Sequence, residues 1–87
     1  MTPSERGTAN PVVRYFGPLL DITGTGEEAV SLTLPATIAQ IEERLQQLHP
    51  ELRGQRYRIA VDETLRTAGE TIDEAAEIAL LPPFSGG

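Results

Sequence analysis

The stretch from Thr37 to Pro50 constrains the fold of this chain more than any other. Thr37 and Gln40 have the Thr-x-x-Gln spacing of a capping box, in which hydroxyl and side-chain amide each satisfy a backbone N–H left free at a helix start. Ile38, Ile41, Leu45 and Leu48 then recur at spacings of three, four and three, the signature of one apolar stripe, while Glu42, Glu43, Gln46 and Gln47 fall elsewhere. Pro50 disfavours helical geometry at His49. The pattern therefore predicts one principal helix from about Ile38 to His49. In a chain of 87 residues, enough for one domain, that stripe has to be buried on whatever the remaining segments form.

Those segments read as strands. VVRYF, after Pro11, is a β-branched and aromatic run ended by Gly17-Pro18. LLDITG reads as a short helical turn closed by Gly24, and Thr25-Gly26 as a turn. Val30, Leu32 and Leu34 alternate with Ser31 and Thr33 up to Pro35, the period of a strand with one buried face. Tyr57, Ile59 and Val61 repeat that period, Asp62-Glu63 turns into a short strand around Leu65, and Thr71 to Glu74 is turn-like. Glu77 to Leu81 is the last strand. The order strand, strand, helix, strand, strand predicts an α+β fold, a small mixed sheet packed on one principal helix. Met1 to Asn10 is polar and is expected to be a loose leader (1–10), followed by the domain (11–83) and an extended tail (84–87).

The last strand carries apolar residues at both parities. Ile78 and Leu80 fall on one face, Ala79 and Leu81 on the other. A two-layer fold of this size has nothing of its own to cover the second face, so Ala79 and Leu81 are expected to meet a partner.

Composition narrows the chemistry. The net charge is -6 and the basic residues are scattered singly, which argues against nucleic acid and for a basic patch on a protein partner. The chain contains no cysteine, hence no thiolate nucleophile and no cysteine-based metal site, so any sulfur it handles comes from outside. All seven basic residues are arginine, so no lysine side chain is present to accept an isopeptide bond. No apolar stretch reaches the ~18 residues of a membrane span, and a cytoplasmic location is expected.

The chain ends Pro82-Pro83-Phe84-Ser85-Gly86-Gly87. Two prolines favour extended backbone and cannot donate to a ladder, so they are expected to launch a tail. Gly86-Gly87 has no side chains and can enter a channel too narrow for other residues. A terminal carboxylate becomes an electrophile only after activation, typically adenylation by ATP, after which a sulfur nucleophile can displace AMP. This sequence has neither a GxxxxGK[ST] phosphate loop nor a zinc-ligand cluster. The activating enzyme is therefore expected to be a separate protein that uses ATP, and no cofactor is expected on this chain.

With VRYFGPLLDITG at Val13 to Gly24 and EIALLPPFSGG at Glu77 to Gly87, the sequence resembles the MoaD/ThiS group of ubiquitin-like sulfur carriers, most closely the MoaD type. The resemblance covers about Val12 to Gly87. It implies a β-grasp body, a thiocarboxylate or acyl-adenylate on Gly87, passage of Gly86 into partner active sites, and docking through the last strand and Phe84, with Ala79, Leu81, Pro82, Pro83 and Ser85 in the same contact. The function it implies is that of a molybdopterin synthase small subunit, which donates sulfur to a pterin precursor and leaves catalysis to a large, MoaE-type subunit. The further partners implied are an E1-like, MoeB-type adenylating enzyme and a sulfur donor protein, in a hetero-oligomer. Two other classes stay open: a related carrier for thiamine, cysteine or tRNA thiolation, or a protein modifier using the same terminus, and a plain interaction module with an incidental Gly-Gly end.

The remaining polar residues are read as structural. His49 has no catalytic companion in the sequence, and Arg44 with Glu42-Glu43 is a solvated helix face. Asp62, Glu63, Asp73 and Glu74 suit local turn hydrogen bonding. Arg14 and Arg58 stay unassigned.

Overall fold

The computed structural model describes residues 7–83. Helix α2 spans Ile38–Leu48 and begins on the expected capping box: the Gln40 N–H donates to the Thr37 hydroxyl at 3.1 Å and the Thr37 N–H to the Gln40 side-chain oxygen at 2.8 Å. A cap of this kind contributes about 1 kcal/mol. Ile38, Ile41 and Leu45 are fully buried, but Leu48 is 41% exposed, because the last turn runs past the edge of the core.

The helix stripe shares one core with a five-stranded sheet whose strands are β2 (Val12–Tyr15), β3 (Glu27–Ala29), β6 (Arg58–Val61), β7 (Thr64–Arg66) and β9 (Glu77–Leu81). Their spatial order is β3-β2-β9-β6-β7. The last strand thus lies at the centre, parallel to β2 and antiparallel to β6. Val13, Tyr15, Ile59, Val61, Ile78 and Leu80 point to the helix side and are buried, as period-two alternation requires. This mixed sheet on one main helix is the β-grasp fold.

Local chemistry explains the connections. Helix α1 (Pro18–Thr23) has proline in its first turn and stops at Gly24, which is left-handed at φ 77°. Asp62 and Glu63 turn β6 into β7 with φ of 49° and 71°, the positive-φ pair of a two-residue hairpin. The Asp62 carboxylate also accepts from the Ala76 and Glu77 N–H groups at 3.0 and 2.9 Å, which fixes where β9 begins.

Three expectations need correction. The leader 1–10 is too long, because Gly7–Ala9 forms β1 and pairs antiparallel with β4 (Leu32–Leu34). Pairing with β4 holds this short strand, and only Ala9 packs against the core, so hydropathy does not reveal it. Val30, Leu32 and Leu34 are all buried, yet the chain around them divides: Glu27–Ala29 pairs with β2 and Leu32–Leu34 with β1. Thr71–Ile72, read as a turn, is β8 and pairs with β5 (Ala36–Thr37), bringing Ile72 into the core. Among the described residues no helix is long and apolar enough to cross a membrane.

Candidate docking face and tail root

Strand β9 builds the site, because its alternation serves two surfaces at once. Ile78 and Leu80 are fully buried in the core, while Ala79 and Leu81 are half-buried on the opposite face. Register extends that face across the sheet. Arg14 lies opposite Ala79, Ala79 opposite Ala60, and Ala60 opposite Leu65, while Leu81 lies opposite Arg58. Phe16, whose N–H donates to the Leu80 carbonyl at 3.2 Å, extends the face beyond β2.

The result is a shallow, mainly apolar hollow that Phe16, Ala60, Leu65, Ala79 and Leu81 line together with charged Arg14, Glu63 and Glu77. Phe16 and Leu65 are 42% and 44% exposed, large apolar side chains that this fold leaves uncovered. Arg14 forms ion pairs with Glu77 and Glu27 at one end of the hollow. Sequence reading found Ala79 and Leu81 but not Phe16, Ala60 or Leu65. The parity shared by Arg14 and Phe16 was the available signal, and it lacked the strand order that places Leu65 on the same row.

Pro82 and Pro83 follow directly from the central strand and share a second hollow with Pro18, Leu19 and Gln55. Gly17 sits under Pro82. Its φ is 60°, and a Cβ there would come within 3.2 Å of the Pro82 ring. Backbone strain of this kind costs about 1–3 kcal/mol, so Gly17→Ala is expected to lower the melting temperature by several degrees and to displace Pro82 from the start of α1. Thermal melts with the amide shifts of residues around Pro82 would check it. Phe84, Ser85, Gly86 and Gly87, the other expected contact and reaction residues, lie outside the described residues, as do Met1 to Arg6.

His49 belongs to a structural cluster behind this face. Its Nε2 lies 2.6 Å from the Glu28 carboxylate, which also accepts from the Tyr15 hydroxyl at 2.7 Å. The Tyr15 and His49 rings meet edge to face at 5.5 Å. Burial opposes the charge on Glu28, but the bonds from Tyr15 and His49 outweigh it and hold the carboxyl below its ordinary range. Burial first, and then the Glu28 carboxylate, push the Tyr15 phenol up.

Both shifts have consequences for stability. The Glu28 carboxylate contributes stability that is fully present above the ordinary carboxylate value of 4.5 and is lost as pH falls through its depressed value. The Tyr15 phenol contributes stability that is present below 10.0 and declines above it. Melting temperature against pH is expected to fall at both ends. Glu28→Gln should flatten the acid limb, and an unchanged acid limb in that variant would contradict the assignment.

No three His, Cys, Asp or Glu side chains gather as metal ligands among the described residues. The geometry supplies a surface that can bind and a central strand that leads into Pro82-Pro83 beside it.

Comparison with known proteins agrees with this architecture. The ThiS family matches residues 13–87. SAMP1 from Haloferax volcanii superposes with a TM-score of 0.74 at 23% identity, covering 93% of this chain and 100% of its own. A Pyrococcus furiosus protein, a candidate molybdopterin converting factor subunit 1, gives 0.75 at 19% identity, covering 92% and 99%. The small archaeal modifier protein 1 of Methanosarcina acetivorans gives 0.69 at 22% identity, covering 93% and 99%.

Proposed function

The chain belongs to the ThiS family of ubiquitin-like sulfur carriers, and from that membership we propose that it is the sulfur-donating small subunit of a molybdopterin synthase. The observation that carries the reading is the family match running to Gly87, over a body whose central strand leads into the Pro-Pro-Phe-Ser-Gly-Gly ending. The likeness to the Pyrococcus furiosus candidate converting factor supports the molybdopterin assignment.

On this reading a carboxylate oxygen of Gly87 attacks the α-phosphorus of ATP on a separate adenylating enzyme, and pyrophosphate leaves. Hydrosulfide, released by a donor protein, then attacks the acyl carbon, AMP departs and the S–H proton passes to solvent, leaving a thiocarboxylate. The absence of cysteine and lysine leaves no side-chain thiol or amine on this chain to capture the activated acyl group. The apolar hollow around Ala79 and Leu81 takes the large subunit, whose active site receives Gly86-Gly87 and holds the pterin precursor. Catalysis of sulfur insertion belongs to that subunit, and this chain acts as a consumed and reloaded co-substrate.

A second reading is favoured by the likeness to two proteins named as modifiers: the same activated terminus would be joined to amines of other proteins. Reconstitution separates the two. Thiocarboxylated chain, the large subunit and the pterin precursor are expected to yield molybdopterin. Failure to do so, together with covalent attachment of the chain to lysine amines in extract, would favour the modifier.

A further inference from the structure

The described residues include six arginines, and they divide into two groups. Arg14 is paired with Glu77 and Glu27, Arg66 donates to Glu70 at 2.9 Å, and Arg44 donates to the Ser31 carbonyl at 3.3 Å. Arg53, Arg56 and Arg58 form no ion pair with any described residue, and all three are exposed. They fall within six positions, in a segment (residues 50–58) whose one acid is Glu51. On a chain of net charge -6 this is a local reversal of sign.

The fold sets that reversal at the tail root. Arg56 lines the same hollow as Pro82 and Pro83. Arg58 opens β6 directly opposite Leu81, the last residue of β9, on the face that carries the apolar hollow. Arg53 follows the 3-10 turn Pro50–Leu52, which packs against α1, whose Pro18 and Leu19 line the same hollow as Pro82. The basic patch therefore adjoins Pro82 and Pro83.

We propose that Arg53, Arg56 and Arg58 form a basic collar that docks an acidic rim around the tail channel of the protein that adenylates this chain; the inference rests on the sulfur-carrier reading above. Continuity with Leu81 makes the occupant a protein surface. A nucleic acid reaching these three arginines would meet the acidic remainder of the body. Rim charges of this kind raise encounter rates and orient the partner more than they tighten the final complex. That suits a carrier that has to leave its activating enzyme after each loading.

The test is steady-state, ATP-dependent pyrophosphate release by the E1-like adenylating enzyme with full-length chain as the varied substrate and saturating sulfide to displace AMP from the acyl-adenylate, at low and high NaCl. Wild-type kcat/KM is expected to fall as salt rises. Arg56→Glu with Arg58→Glu should lower kcat/KM at low salt about tenfold or more, chiefly through KM, and should flatten the salt dependence. The same positions changed to Lys should stay near wild type. Arg44→Glu, a charge reversal on the distant helix face, should change it less than about twofold. Melts of each variant establish folding. A salt-insensitive wild-type KM, or a double Glu variant no worse than Arg44→Glu, overturns the collar while leaving the carrier reading intact. No adenylation of the wild type at any salt overturns both.

Discussion

Deletion of Gly87 is expected to abolish sulfur loading while leaving the melting transition of the body in place. The deleted residue lies beyond β9, and every core side chain comes from residues 13–80. The new terminus would fall short of the reacting atoms by up to ~3.6 Å of extended chain. Misplacement of even 1 Å can cost about a hundredfold in rate. Gly86→Val tests the same idea without shortening the chain. A β-branched side chain narrows the accessible backbone and adds bulk where the terminus must thread, so loading should fall about a hundredfold or more with an unchanged melt. Paired melts and sulfuration assays measure both effects. Near-wild-type turnover in both variants would remove the terminus from the mechanism.

The second large effect is expected on the docking face. Leu81→Arg places a charge beside Phe16 in a hollow that is otherwise mainly apolar. If the large subunit buries this face, the variant loses apolar contact and also strands a charge in the interface. Together these cost about 2–4 kcal/mol, the size of an interface hot spot, or roughly thirty- to a thousandfold in Kd. Ala79→Arg, at the centre of the same face, should act similarly by steric exclusion. Neither change touches the core, so both variants should fold. Leu80→Arg is the contrasting case, since Leu80 has no exposure at all and its replacement should unfold the protein. Titration calorimetry against the large subunit, with melts alongside, reads all three. Wild-type affinity in both Leu81→Arg and Ala79→Arg would mean that this face does not meet the partner.

The elements with strong local signals were legible in the sequence. The capping box of α2, the glycine stop of α1, the Asp62-Glu63 turn and the two-sided pattern of β9 each rest on interactions between residues near in the chain. What could not be read depends on pairing across distance. Gly7–Ala9 and Thr71–Ile72 are strands because of the neighbours they meet, and their own composition looks like a loop. The same is true of the site. Ala79 and Leu81 could be found from alternation, whereas Phe16, Ala60 and Leu65 joined them only once the β2-β9-β6-β7 order was known. The place of Arg58 is illegible for the same reason, since its position opposite Leu81 is a matter of register. His49 looks isolated in the sequence because its partners Glu28 and Tyr15 lie 21 and 34 residues upstream.

The central claim is that sulfur is carried on Gly87. Its most direct test is intact mass spectrometry of the chain after incubation with the adenylating enzyme, ATP and a sulfur source, followed by fragmentation. Oxidation of Met1 gives almost the same mass change, so the fragments have to place it. The account predicts one oxygen replaced by sulfur, dependent on ATP and located at Gly87. An unmodified terminus in the presence of an enzyme that demonstrably releases pyrophosphate with this chain, or a modification located elsewhere, would contradict it.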